Sequence, residues 1–191
     1  MSSVNEQWEQ FLNPAVLKER LVSVSLYVTA FEILKDSIIG HIRSFYSTGF
    51  DSNGEIIDEK YKTKVLSKGK TVLDASINWL SENGVIDQDD IKLFERIRTT
   101  RNSLVHQLPS MVIGGKEFNH IERFPELIAL LRKIEVWWVV NVEIPTNPDF
   151  DGKEIDEEGI VPGPIMMLQL MLEVLSGNEK LLQQYRGKSH L

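Results

Sequence analysis

Apolar side chains recur at intervals of three and four residues along the first quarter of the chain, and this spacing constrains the fold more than any other feature. Asn13 followed by Pro14 is typical of a helix N-terminus, because asparagine caps free backbone N–H groups and proline fits the first turn. The apolar positions that follow are Leu17, Leu21, Val24, Val28, Phe31, Leu34, Ile38 and Ile42. The pattern therefore predicts one long amphipathic helix over roughly residues 14–47.

The same periodicity predicts further helices separated by short loops. These helices span about 59–81, with a break at Gly69, then 88–108 and 124–142. Pro109 ends the second of them, and Phe124-Pro125 opens the third. Turn-forming residues mark the connections, which are 49–54, Asn83-Gly84 and Gly114-Gly115. No run predicts a strand of more than a few residues, and the one candidate for a strand is 111–113.

Residues 143–163 interrupt the helical pattern. They include three prolines, three glycines and seven acidic residues, a composition typical of a flexible surface loop. Two short helices are predicted beyond them, over 165–175 and 178–185, separated by Gly177. We therefore expect an all-α domain: an up-and-down bundle of four to five main helices over 1–142, an acidic flexible loop over 143–163, and extra C-terminal helices over 164–191 packing on the same domain.

Composition narrows the class of protein. The 191 residues include no cysteine, which excludes disulfides, thiolate metal sites and thiol nucleophiles. The net charge of −7 gives no overall positive field toward polyanions, so an anionic ligand needs a local basic patch. No apolar run approaches the roughly 20 residues that span a bilayer, and residues 1–11 lack the regions of a signal peptide. The histidines show no metal-ligand spacing either. The lack of cysteine fits a reducing compartment, so we expect a cytoplasmic protein without a membrane segment, metal or cofactor.

An arginine occupies a core position on the predicted helix 88–108. Its apolar stripe consists of Ile91, Phe94, Ile97, position 101, Leu104 and Leu108. A guanidinium at position 101 loses hydration unless it is paired or faces a wet cleft. One interpretation pairs Arg101 with a carboxylate, and Glu32 on the first long helix is the obvious partner. Beside Arg101, a polar ridge is formed at four-residue intervals by Arg98, Asn102 and His106.

Arg101, Asn102 and His106 form a pattern of arginine, polar residue and histidine, with four residues between arginine and histidine. This pattern resembles the signature of the HEPN superfamily, whose domains are bundles of four or five helices with the motif late in the bundle. The run 27–32, which ends in the acidic Glu32, is similar to an early helix of many members. The motif covers six residues and the similar helical order extends to about residue 142, whereas the remainder has no counterpart.

The resemblance implies a metal-independent RNA endonuclease of a toxin or defence system. His106 would exchange protons, Arg101 would hold the phosphate, Asn102 would orient the imidazole or the backbone, and Arg98 would assist substrate binding. Family members usually act as homodimers whose motifs face each other, and a toxin would also have an antitoxin protein as a partner. Two alternatives stay open: a non-catalytic helical module that binds RNA, a nucleotide or a protein, and an adaptor whose dimerisation is its whole function.

Overall fold

The computed structural model describes residues 4–52, 54–110 and 120–188, and most of these residues are helical. The prediction of an all-α fold is confirmed. The helices are α1 (Val4–Leu12), α2 (Pro14–Phe45), α3 (Lys60–Lys64), α4 (Val72–Glu82), α5 (Gln88–His106), α6 (His120–Trp138), α7 (Ile144–Thr146), α8 (Gly163–Leu175) and α9 (Lys180–Lys188). None of the described helices is both long enough and apolar enough to cross a membrane.

Helix α2 is the central element of the bundle. Its N-terminus is capped as predicted, because the Asn13 side chain accepts hydrogen bonds from the backbone N–H groups of Ala15 and Val16, at 3.0 and 3.4 Å. It packs against α4, α5, α6 and α8. Its buried side chains are Val24, Tyr27, Ala30, Phe31, Leu34, Ser37, Ile38 and Ile42. The apolar positions predicted from the spacing thus supply most of the contact with neighbouring helices.

A short β-hairpin follows α2 where the sequence predicted a loop. Strands β1 (Ser47–Asp51) and β2 (Gly54–Ile57) pair antiparallel, and the register shifts by one residue between Ser47 and Gly49. Gly54 has a φ of +115°, a conformation that L side chains rarely adopt. Arg43 Nε donates to Glu55 Oε2 at 2.9 Å and so ties the hairpin to the end of α2. The strand candidate at 111–113 and the predicted Gly114-Gly115 loop lie outside the described residues.

Helix α5 begins where the acidic residues predicted it. The Asp87 side chain accepts hydrogen bonds from the backbone N–H groups of Asp89 and Asp90, at 2.8 and 3.0 Å. Asp90 in turn accepts from the Asp87 N–H at 2.9 Å, which completes a reciprocal cap. Helix α6 begins at His120, earlier than the predicted start at Phe124-Pro125, so that Pro125 lies inside the helix rather than at its first position.

The segment 143–163 contains more local structure than the predicted loop. A π-helical turn at Val139–Glu143 leads into α7, and a 3₁₀ turn follows at Pro148–Phe150. Farther along, Arg132 Nη2 on α6 donates to three backbone carbonyl oxygens, those of Glu157, Glu158 and Ile160, at 3.0–3.3 Å. One side chain of the bundle therefore holds the last part of the acidic segment before α8 begins.

A buried carboxylate joins α2 to α6. His41 Nε2 lies 3.0 Å from Glu135 Oε1, and the Glu135 side chain is almost fully buried. An ionised carboxylate can only accept hydrogen bonds, so Nε2 of His41 carries the hydrogen. The imidazole also stacks on Trp138, with 5.3 Å between ring centroids. The polar pair and the stacked rings together fix the relative position of α2 and α6.

Replacing Glu135 by glutamine is expected to reduce the loss of unfolding free energy that the protein shows as the pH falls below neutral. Burial by itself would raise the pKa of Glu135, but hydrogen bonds from His41 and Ser37 and the charge of His41 hold this pKa below its ordinary value of 4.5. A carboxyl group with a lowered pKa in the folded state stabilises it above the unfolded pKa, and this contribution is lost as the pH falls through the folded pKa.

Urea unfolding between about pH 6 and pH 3 measures this difference in the free energy of unfolding. The wild type should lose stability more steeply than Glu135→Gln below the ordinary glutamate pKa. The exposed Glu179 provides the control, because Glu179→Gln should follow the wild-type curve. Parallel curves for wild type and Glu135→Gln would show that the pair contributes nothing to the acid response.

Candidate functional site

The candidate site lies on α5, at the edge of the bundle core. Phe94, Ile97 and Leu104 of this helix are buried against its neighbours, as the apolar stripe predicted. Arg101 continues the same stripe, and its side chain is 29% exposed. The guanidinium therefore lies at the boundary between core and solvent, where a long side chain can bury its methylene groups and keep part of its charged end hydrated.

The Arg101 guanidinium contacts three different side chains. Its Nη2 donates to Glu32 Oε1 at 2.6 Å, and its Nη1 donates to Asn102 Oδ1 at 3.3 Å. Its central carbon lies 5.5 Å from the centroid of the Phe31 ring, within the range of a cation–π contact. The Nε atom is buried and has no hydrogen-bond partner among the described residues. The pairing of Arg101 with Glu32 that the sequence suggested is thus present.

Glu32 is shared between two cations. Lys35 Nζ donates to Glu32 Oε2 at 2.7 Å, while Arg101 occupies the other carboxylate oxygen. The pKa of Glu32 lies below its ordinary value, chiefly because of the hydrogen bond from Lys35; burial opposes this shift, and the hydrogen bond from Arg101 adds to it. Glu32 is therefore ionised at neutral pH and balances much of the charge of Arg101.

Arg98 also has carboxylate partners. Its Nη1 donates to Asp74 Oδ1 on α4 and its Nη2 donates to Glu95 Oε2 on α5, both at 2.7 Å. The pKa of Asp74 is lowered by hydrogen bonds from Thr71 and from Arg98. Arg98 thus bridges α4 and α5, and its charge is neutralised within one chain.

Asn102 and His106 lie on the solvent side of α5. Both side chains are exposed, and the four-residue spacing places them one above the other on the same helix face. Arg101 and His106 are five positions apart, about 140° around the helix axis, so the arginine reaches the shared face through its contact with Asn102. His106 is the last residue of α5, where the helix dipole favours a cation by about 0.3–1 kcal/mol.

The structure brings together three of the predicted site residues and leaves the other two, Arg98 and His106, outside this group. Glu32, Arg101 and Asn102 are in direct contact. Over the parts of the chain that the structure describes, His106 has no hydrogen bond or ion pair with Arg101, Asn102 or another residue. Within the described ranges its imidazole is therefore exposed and accessible to a ligand.

The contacts of the arginines with Phe31, Asp74 and Glu95, and that of Glu32 with Lys35, were not identified from the sequence. Lys35 could have been found, because it lies three residues after Glu32 on the same helix, a spacing at which side chains meet. Phe31 under Arg101 and Asp74 opposite Arg98 are contacts between different helices, and no local pattern marks them. In the described part of the chain, no group of three or more His, Asp or Glu side chains is arranged to hold a metal ion.

Comparison with known proteins adds no relative of this chain. No family model, no curated protein and no solved structure matches it. The similarity to the HEPN signature thus stays with Arg101, Asn102 and His106 and with the order of the helices.

Proposed function

We propose that the protein is a metal-independent RNA endonuclease of a toxin or defence system that acts through the α5 motif. The observation that carries the proposal is the exposed imidazole of His106, one helical turn beyond an asparagine whose side chain accepts a hydrogen bond from Arg101. His106, which can exchange protons, and Arg101, which is a fixed cation, therefore border one open face of α5. These are the two kinds of group that RNA transesterification requires.

The reaction needs no external nucleophile. The ribose 2′-oxygen forms a bond to the adjacent phosphorus, and the bond from phosphorus to the 5′-oxygen of the next nucleotide breaks. His106 takes the proton of the 2′-hydroxyl, and a second acid returns a proton to the leaving oxygen. The products are a 2′,3′-cyclic phosphate and a 5′-hydroxyl. In the homodimer that the family resemblance implies, His106 of the partner subunit is the second acid.

Arg101 binds the phosphate in this proposal. Guanidinium groups present five N–H donors, and the contacts with Glu32 and Asn102 account for two of them. Remaining donors on Nη1 and Nη2 can bind the non-bridging oxygens, where negative charge accumulates in the transition state. Asn102 holds Nη1 of the guanidinium through its side-chain oxygen. Arg98, about one turn earlier on α5, assists substrate binding in this proposal, as the resemblance implies.

A second candidate is a non-catalytic helical module that binds RNA, a nucleotide or a protein. The observation that favours it is the charge balance of the site. Arg101 is paired with Glu32, and Arg98 is paired with both Asp74 and Glu95. Ion-paired arginines attract a polyanion less strongly than free ones, so a single chain offers RNA a weakly charged surface.

The decisive experiment uses an RNA oligonucleotide and its copy with a single 2′-deoxy nucleotide at the main cleavage site, both incubated with the protein in EDTA. The proposal predicts fragments with 2′,3′-cyclic phosphate and 5′-hydroxyl ends, and no cleavage at the deoxy position because its nucleophile is missing. Expression of the intact protein should also slow the growth of the host.

The outcomes separate the two candidates. Cleavage at the deoxy position, or cleavage that EDTA abolishes, would contradict the endonuclease proposal. A stable complex with uncut RNA in the same reaction, seen as a shifted band, would instead support the non-catalytic module. A salt titration of that complex counts the phosphates that are contacted.

A further inference from the structure

A cleft lies between α2, the last turns of α6 and the start of α8, and we call it the His41 cleft. Its volume is about 450 Å³, within the roughly 300–1,000 Å³ of small-molecule sites. Its inner surface includes His41 and two buried polar residues, Ser37 and Glu135. The π-helical turn at Val139–Glu143 borders it, and such turns occur frequently at functional sites. The cleft thus combines the size of a ligand site with buried polar groups.

Gly40 keeps the His41 cleft open. It lies in the interior of α2, where glycine is less favourable than alanine. Glycine is normally required where φ is positive or where another segment approaches closely. Neither reason applies to Gly40, because its φ is not positive and a β-carbon added to it would meet no described atom within 4 Å. The absent side chain therefore leaves space in the cleft without serving the packing of the bundle.

The polar side chains of the cleft present hydrogen-bond acceptors. Glu135 accepts the hydrogen of His41 Nε2 at 3.0 Å, so the neutral imidazole presents a lone pair on Nδ1. Within the described ranges, Nδ1 has no hydrogen-bond partner. Two exposed carboxylates, those of Asp36 and Glu143, stand at the rim. A ligand that matches these groups brings several N–H donors.

The charge of the cleft is negative. Three carboxylates line it, those of Asp36, Glu135 and Glu143, and its described lining includes no lysine or arginine. Lys35 and Arg43, the nearby cations on α2, are each paired with a glutamate outside the cleft. The first residues of α8 also border the cleft, but a helix N-terminus carries only about half a positive charge. The carboxylates outweigh it, so the cleft favours a cation.

The walls of the cleft favour an organic cation over a bare metal ion. Val139, Pro162 and Pro164 give it apolar surface against which a short hydrocarbon chain can pack. A metal ion needs several converging ligands, and the side chains that the structure describes form no such group of three. An ammonium ion needs only acceptors for its three N–H donors.

We propose that the His41 cleft binds a short aliphatic amine in its ammonium form. The ammonium group donates to His41 Nδ1 and to the carboxylates of Asp36 and Glu143, and the hydrocarbon chain occupies the space beside Gly40. The described lining of the cleft comes from α2, α6, α8 and the turn before α7, whereas the motif is on α5. The amine site therefore goes beyond the proposed function and is independent of RNA cleavage.

The test titrates the full chain with n-butylamine, which is an ammonium ion at neutral pH, and follows the NMR signals of the Gly40 amide and the Trp138 indole. Trp138 reports on the cleft because its ring stacks on His41. Butylammonium should bind with a dissociation constant on the order of 1 mM, as expected for so small a ligand. Butanol and butyrate should bind at least about 10-fold more weakly, because one lacks the charge and the other reverses it.

Substitution of Gly40 tests the space in the cleft. Gly40→Leu should keep the fold and weaken binding of butylammonium by about 10-fold or more, because the new side chain starts in open space and fills the cleft. Gly40→Ala should raise the melting temperature by roughly 2–4 °C, since it removes a glycine from a helix interior. Ser44→Leu is the matched control, because Ser44 is exposed one turn later on α2 and outside the cleft. Its variant should bind butylammonium like the wild type.

Substitution of the rim acids tests the charge. Asp36→Asn and Glu143→Gln should each weaken binding by about 3- to 10-fold and keep the fold, because both side chains are exposed. Added salt should weaken binding to the wild type more than to either variant, since it screens exposed charges. Asp149→Asn is the control, because Asp149 is an exposed acid outside the cleft.

Several results would overturn the amine site. Butyrate that binds as well as butylammonium would do so, as would a wild type that binds neither. A folded Gly40→Leu variant with wild-type affinity would exclude the cleft as the place of binding. If Gly40→Leu does not fold, the rim acids decide, because unchanged affinity in both Asp36→Asn and Glu143→Gln contradicts the proposal. His106→Ala should bind butylammonium like the wild type, so a failure of the endonuclease proposal is seen separately.

Discussion

Replacing His106 by alanine is expected to lower the rate of RNA cleavage by about 100- to 10,000-fold, the usual contribution of a general acid–base residue. The fold should be retained, because the imidazole is exposed at the last position of α5 and has no partner over the described residues. The measurement is the single-turnover rate of 2′,3′-cyclic phosphate formation, with thermal unfolding as the check on stability. The growth defect caused by expression should disappear with the cleavage activity.

Val105→Ala provides the matched control for His106→Ala. Val105 is the preceding residue on α5 and is also exposed, but it can move no proton. Its variant should cleave RNA at the wild-type rate, and added imidazole should partly restore the rate of His106→Ala. Full activity in His106→Ala would remove the catalytic role, whereas equal losses in both variants would trace the effect to the shape of the helix end.

Replacing Phe94 by alanine is expected to lower the free energy of unfolding by about 3–5 kcal/mol, as is usual when a buried phenylalanine is truncated. For a chain of this length, that loss corresponds to a fall of roughly 10 °C in the melting temperature. Phe94 is 1% exposed, and its ring stacks on Phe31 with 6.3 Å between centroids. The two stacked rings also contact the charges of the site, because Arg98 lies over the Phe94 ring and Arg101 lies over the Phe31 ring.

Urea unfolding compares this variant with Phe50→Ala, in which the same atoms are removed from an exposed position. Phe50→Ala should change the free energy of unfolding by less than about 0.5 kcal/mol. Similar effects in the two variants would mean that the aromatic stack does not stabilise the bundle. Because Phe31 underlies Arg101, Phe94→Ala should also reduce RNA cleavage in the folded fraction.

The helices were predictable where both their apolar spacing and their ends are encoded locally. Helix α2 begins at its predicted first residue because Asn13 and Pro14 mark the start. It ends two residues before the predicted end, because the apolar spacing continues almost to that point. The start of α6 was misplaced because Pro125 was interpreted as a first-turn proline. The hairpin was missed because its strands are short and glycine-containing, and a local pattern of that kind is typical of a loop.

The candidate site was predictable in its residues but only partly in its contacts. A charge on the apolar stripe of α5 indicated that Arg101 needs a partner, and Glu32 on the first long helix was the carboxylate named for it. The pairing of Arg98 with Asp74 depends on how α4 crosses α5, which no spacing within either helix encodes. The partnership of Lys35 with Glu32, which reduces the charge available to Arg101, could have been predicted from the three-residue spacing along α2.

The contact of Arg132 with the backbone has a consequence for the order in which parts of the molecule come loose. The Arg132 guanidinium holds three backbone carbonyl oxygens between Glu157 and Ile160, just ahead of α8. A single side chain thus substitutes for the apolar packing that this acidic stretch lacks. Losing that anchor would lengthen the tether from α6 to α8. The C-terminal helices then detach as a unit while α2, α4, α5 and α6 stay folded, and such a local opening exposes protease sites.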